Sequence, residues 1–149
     1  MDTTQLPPHS KEFLRLLTSH KIEYLLVGGY AVGFYGFPRA TIDIDVWIER
    51  SEENARSIVA MLEEFGFADA GLNAEWFLQE NKNFRMGVPP NRIELLTGIS
   101  GVEFSECRDR GIPAEIDGVP VVVIGLDDLK TNKAASGRHK DLEDLRNLP

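Results

Sequence analysis

The chain's apolar residues follow helical spacing in some stretches and strand alternation in others. Pro7-Pro8 ends a short tail, Ser10 is placed to cap a first helix over 8–20, and Phe13, Leu14, Leu16 and Leu17 form its stripe. Ile22 to Val27 predicts a short strand that Gly28-Gly29 breaks sharply. Tyr30 to Tyr35 predicts a brief helix closed by Gly36 and Pro38. Thr41 to Ile48 then alternates cleanly. Ile42, Ile44, Val46 and Ile48 fall on one face, and Thr41, Asp43, Asp45 and Trp47 on the other.

Helical spacing returns over Glu52 to Phe65, with Ile58, Val59, Leu62 and Phe65 inward and Gly66 as the stop. Trp76-Phe77-Leu78 predicts a strand or turn packed on the sheet. Asn83 to Val88 and Arg92 to Leu96 predict strands on either side of Pro89-Pro90. Phe104 to Arg108 predicts one helical turn. Ile112 to Ile116 and Val119 to Ile124 predict a hairpin about Asp117-Gly118. Leu126 to Ala135, capped by Asp127 or Asp128, and Asp141 to Leu148, with Leu142, Leu145 and Leu148 on one side, predict two closing helices separated by Gly137. The fold class is α/β (α+β): a mixed twisted sheet over 21–124 with flanking helices and C-terminal helices over 126–148. The hairpin argues against an all-parallel doubly wound sheet.

A length of 149 residues fits one domain, 1–149, large enough to bury a core without staples. The formal charge of −8 disfavours a broad nucleic-acid-binding surface but leaves room for a local basic pocket. The single cysteine, Cys107, precludes an intrachain disulfide and reads as a half-buried thiol. No apolar run approaches the roughly 20 residues of a membrane helix, and the first residues read as neither a basic start nor a signal core. The expected location is cytoplasmic, with no membrane partner.

The chemistry concentrates at Asp43 and Asp45. Acids at i and i+2 of a strand share a face with Cβ atoms roughly 6–7 Å apart, and they repel unless water or a cation separates them. Carboxylates are the ligands that hard Mg²⁺ or Mn²⁺ prefers, leaving positions for phosphate oxygens and water. Gly28-Gly29 lets backbone N–H groups turn toward an anion with no Cβ in the way. A tight turn alone would use the same glycines. The segment has neither G-x-G-x-x-G nor a P-loop pattern. Glu94, between Ile93 and Leu95, is an acid in an apolar strand, which is costly unless exposed, paired or metal-linked. It is the candidate third carboxylate. Arg39, Lys130, Lys133 and the Arg138-His139-Lys140 cluster are candidate phosphate-binding cations, each with the plainer alternative of a solvated face or a pairing with Asp141, Glu143 or Asp144.

The ordered segments Leu26-Val27-Gly28-Gly29-Tyr30-Ala31-Val32 and Arg39-Ala40-Thr41-Ile42-Asp43-Ile44-Asp45 resemble the nucleotidyltransferase superfamily of DNA polymerase β-like fold. The likeness is strongest to small stand-alone members, the AbiEii-type toxin nucleotidyltransferases and relatives of the aminoglycoside and lincosamide nucleotidyltransferases. It covers about Lys21 to Leu148, and the tail from Leu126 to Asp144 resembles a closing segment that supplies a basic side chain. The resemblance implies a transfer of a nucleoside monophosphate from a nucleoside triphosphate to a hydroxyl acceptor on a tRNA, a protein or a small molecule. It implies Mg²⁺ (or Mn²⁺) on Asp43, Asp45 and Glu94, where the family more often has Asp for Glu94. It implies nucleotide contacts from Gly28, Gly29, Arg39, Thr41, Lys130, Lys133 and Lys140. The resemblance also implies a toxin–antitoxin setting with a cognate antitoxin, and the little room that 149 residues leave for an acceptor-binding domain points to self-association or a partner.

Two other readings compete. In one, the chain is a catalytically inactive nucleotidyltransferase-like module that binds nucleotide or protein, with Tyr35, Trp47, Trp76 and Phe77 as exposed anchors; core packing is the plainer expectation for those rings. In the other, a two-metal phosphatase or nuclease shares the acids but leaves the Gly-Gly turn unexplained.

Overall fold

A computed structural model describes residues 4–37, 41, 43–67, 71–89 and 91–149. Pro38, Arg39, Ile42 and Pro90, all used in the sequence reading, lie outside that set. The first helix, α1, runs Pro8–Ser19 and begins two residues before Ser10. Pro8 occupies its first turn, where a ring that fixes φ and needs no N–H partner fits best. Ser10 is therefore inside the helix and buried, not its cap. Lys21, at φ 55°, turns the chain out of α1, and the strand β1 is confined to Tyr24–Val27.

A second helix, α2 (Gly28–Phe34), starts directly on the glycines, earlier than the expected Tyr30. Strand β2 is Asp43–Ile48. Its apolar positions Ile44, Val46 and Ile48 are buried. Helix α3 is Glu52–Phe65; Ser51 caps it by accepting from the Asn54 N–H, and Gly66 closes it in the left-handed region. Trp76–Leu78 forms a single 3₁₀ turn.

Strand β3 is Asn83–Met86, shorter than predicted, and β4 is Arg92–Leu96. A short α4 (Phe104–Cys107) precedes the hairpin of β5 (Ile112–Ile116) and β6 (Val119–Val123). Asp117 and Gly118 have φ of 48° and 79°, the paired positive values of a type I′ turn. Helix α5 is Leu126–Ser136 with Gly125 as its N-cap. Neither Asp127 nor Asp128 caps it; Asp128 instead receives Arg110 Nε and Nη2 at 2.9 and 3.0 Å.

The six strands form one sheet in the order β3-β4-β2-β1-β6-β5. Pairs β2–β4 and β1–β6 are parallel; β1–β2, β3–β4 and β5–β6 are antiparallel. Helix α1 packs on β6 and α3, and α2 packs on β1 and β2. The mixed sheet with flanking helices is the predicted fold class.

The aromatic side chains settle mostly inside. Trp47 and Phe77 are fully buried, and Trp47 meets Phe104 edge-on. Tyr35 donates its hydroxyl to the Ile124 carbonyl at 2.6 Å. Trp47 and Phe77 are therefore core groups and offer no interface anchor. Cys107 is also fully buried, not half-exposed. Burial, with Asp128 beside it, pushes the thiol up to about 11.

The last helix, α6 (His139–Asn147), departs from its apolar stripe. Its buried residues are Asp141 and Asp144, whereas of the predicted stripe Leu142 lies exposed, Leu145 is half-buried and Leu148, just past the helix, is buried. The reason is Lys133 of α5, itself buried, whose Nζ sits 3.2 Å from Asp141 and 3.0 Å from Asp144. A buried ammonium needs carboxylates more than the helix needs to bury leucines. Among the described residues no helix is long and apolar enough to cross a membrane.

Candidate active site

Sheet register brings the three acids together. In the parallel β2–β4 pair, Asp45 stands opposite Glu94 and Asp43 opposite Arg92. Because side chains alternate, Asp43, Asp45, Arg92 and Glu94 share one sheet face. One carboxylate oxygen from each of Asp43, Asp45 and Glu94 lies within 4.8 Å of the other two. On the opposite flank, β1 ends with Val27 across from Asp45, so the chain reverses into Gly28 immediately beside that carboxylate.

Gly28 is there for two physical reasons. Its φ is +69°, and a Cβ built on it would lie 2.1 Å from Asp45 Oδ2. Any side chain would fill the space that the carboxylate uses. Thr41 donates its hydroxyl to the Asp43 carbonyl at 3.3 Å and steadies the entry to the strand.

The acids differ in their partners. Asp43 receives Arg92 Nε and Nη2 at 2.6 and 3.3 Å, and Glu94 receives Arg85 Nε at 2.5 Å and Asn83 Nδ2 at 3.5 Å. Asp45 has no arginine partner among the described residues. Burial, then the charges of Glu94 and Asp43, push its carboxyl up to about 6, opposed by Lys133 and Lys140.

These groups line a cleft of about 840 Å³ that also includes Gly28, Gly29, Thr41, Lys133, Arg138 and Lys140. Arg85, Arg92, Lys133, Arg138 and Lys140 line it beside Asp43, Asp45, Glu94 and Asp141, so cations and carboxylates are nearly balanced there on a chain of charge −8. Of the predicted nucleotide contacts, Lys133 lines the cleft while bound in its buried ion pairs. Lys130 is not among the lining residues; its ammonium donates to the Pro149 carbonyl. Arg138 donates to Asp141 at 2.8 Å. Burial alone would raise the Asp141 carboxyl, yet Arg138, Ser136 and Lys133 together hold it well below the usual carboxylate range.

Arg85 and Arg92 were not singled out by sequence reasoning. The signal was present: Arg92-Ile93-Glu94 repeats the i, i+2 alternation of Asp43-Ile44-Asp45, and Asn83-Phe84-Arg85 does the same one strand further on. Only the register, which sequence does not print, puts each arginine directly across from an acid.

The donor set is wholly oxygen, held on rigid strands, with Gly28 leaving Asp45 open to the cleft. Three carboxylates of this kind fit a hard divalent cation. The chain belongs to the family described as nucleotidyltransferase of unknown function (DUF6036), whose profile matches residues 9–148. A solved structure from Thermotoga maritima, assigned as a nucleotidyltransferase, is similar in fold at 16% identity. Its TM-score is 0.58, over 91% of this chain and 87% of that one. A comparison with curated proteins finds no match.

Proposed function

We propose that the protein transfers a nucleoside monophosphate from a nucleoside triphosphate to a hydroxyl acceptor, with Mg²⁺ or Mn²⁺ held by Asp43, Asp45 and Glu94. The observation that carries this reading is the convergence of those three carboxylates within 4.8 Å beside Gly28. When bound, the divalent ion would lower the pKa of the attacking hydroxyl and offset charge on the leaving group.

The chain's own residues do the rest. Gly28 and Gly29 offer backbone N–H groups to the phosphates, and Lys140, Arg138 and Lys133 supply positive charge along the same wall. Thr41 borders the same space. Glu94 Oε1, with only the long Asn83 contact, is the oxygen open to the cleft, either to hold the ion on the acceptor side or to take the acceptor hydroxyl's proton. The acceptor oxygen bonds to the α-phosphorus, and the bond from that phosphorus to pyrophosphate breaks.

The acceptor is a hydroxyl of a tRNA end, a protein or a small molecule. The likeness of the Gly28 and Asp43 segments to toxin-type and antibiotic-modifying members makes a cognate antitoxin, or self-association, the partner to look for in a cytoplasmic setting. Incubation with each α-labelled nucleoside triphosphate, Mg²⁺ and cell extract tests the reading. Label transfer with pyrophosphate release supports it. No transfer with all four nucleotides favours the non-catalytic binding module, a reading that the Arg85 and Arg92 ion pairs on two of the acids also suit.

A further inference from the structure

Two of the three acids in the cluster already hold a cation belonging to the chain. Arg92 grips both oxygens of Asp43, at 2.6 and 3.3 Å, and Arg85 meets Glu94 Oε2 at 2.5 Å. Both contacts are imposed by register, since Arg92 faces Asp43 across β2–β4 and Arg85 faces Glu94 across β3–β4. Three carboxylates whose oxygens approach within 4.8 Å repel strongly in a half-buried site, and the guanidinium groups offset that repulsion.

A divalent cation bonds the same oxygens at about 2.0–2.1 Å for Mg²⁺ and competes with the guanidinium groups for charge and space. It also repels a guanidinium on the adjacent oxygen. Bidentate Arg92 leaves Asp43 without an uncommitted oxygen, whereas Arg85 leaves Glu94 Oε1 nearly open. We propose that Arg92 and Arg85 are resident counter-ions of the acid cluster, which an incoming divalent cation must displace, so that these two arginines set the site's affinity for metal. The identity of the ion rests on the nucleotidyl-transfer reading; the competition concerns only the chain's own residues.

An internal competitor lowers apparent affinity by the fraction of time the ligands are free. The Arg85 side chain is 57% exposed and can swing into solvent, while that of Arg92 is 27% exposed and more firmly held. Arg92 therefore has the larger effect. Arg85 and Arg92 both line the cleft in which the ion would sit.

The test is a Mn²⁺ titration of the full chain without nucleotide, following the free-ion signal by electron paramagnetic resonance. Arg92→Gln binds Mn²⁺ about fivefold or more tightly than the unsubstituted chain, and Arg85→Gln tightens binding by a smaller factor. Lys140→Gln is the control for through-space charge: it removes a cation whose field reaches Asp45 across the cleft but which makes no ion pair with the three acids among the described residues. It changes affinity much less. Arg85 is exposed enough that its variant keeps the fold, checked by circular dichroism. Unchanged or weaker binding in both arginine variants overturns the proposal, as does equal tightening in Lys140→Gln, which would reduce the effect to net charge. If Mn²⁺ binds and Asp43→Asn abolishes binding while the arginine variants stay unchanged, only this inference fails. If no form binds Mn²⁺ at millimolar concentration, the metal-dependent reading fails with it.

Discussion

Gly28 and Asp45 occupy one space: a Cβ on the glycine would lie 2.1 Å from the carboxylate's Oδ2. The turn and the acid strand are thus one device, built where β1 ends across from Asp45. Gly28→Ala must strain a φ of +69° and push the carboxylate aside. A loss of about 1–3 kcal/mol is expected from the backbone strain, read by chemical denaturation. Nucleotide turnover should fall further than stability alone explains. A fully stable, fully active alanine variant would contradict the coupling.

Asp45 gives a pH prediction for the metal-free protein. Its folded carboxyl stands at about 6 against an ordinary 3.8. A raised acid favours the fold below the unfolded value, and that contribution is lost as pH rises through the folded one. Asp45→Asn should therefore match the unsubstituted chain near pH 4 and become the more stable of the two above pH 6. The gain is on the order of 1–2 kcal/mol, allowing for partial solvent contact. Thermal melts across that range in chelator check the sign; an asparagine variant that loses stability relative to the unsubstituted chain as pH rises contradicts it.

Lys133 joins α5 to α6 through two carboxylates that are each almost fully buried. Lys133→Met removes the ammonium that Asp141 and Asp144 share, while Arg138 and Ser136 stay on Asp141. Breaking a buried pair from one side costs about 3–5 kcal/mol when nothing else compensates the charge, so a loss of about 2–3 kcal/mol is expected here. Urea denaturation should show that loss, and proteolysis should cut first at the α5–α6 junction. A change below the error of the measurement would mean that the network contributes nothing to docking α6.

Sequence made the sheet strands and the acid pair legible because alternation and glycine breaks are local signals. Glu94 was legible by its chemistry, as an acid between Ile93 and Leu95. The inner faces of α1 and α3 were legible from helical spacing, with Phe13, Leu14, Leu17, Ile58, Leu62 and Phe65 buried. In α6 Leu142 of the predicted stripe gives way to Asp141 and Asp144 while Leu148 is buried, because the deciding partner, Lys133, lies on another helix. Ser10 loses the cap because α1 starts at Pro8 with Pro7 at its N-cap, a local reason that the Pro7-Pro8 pair carried all along. The arginines opposite Asp43 and Glu94 depend on register, a long-range property set by how the whole sheet assembles.

The central claim is that Asp43, Asp45 and Glu94 hold divalent ions against a nucleotide seated by Gly28. A crystal soaked with Mn²⁺ and a non-hydrolysable nucleoside triphosphate measures this most directly through the anomalous signal of the metal. The account predicts a manganese peak bonded to oxygens of all three acids, with the phosphates along the Gly28-Gly29 backbone. Nucleotide bound elsewhere, or a peak that leaves Glu94 uncoordinated with Arg85 still seated on it, would contradict it.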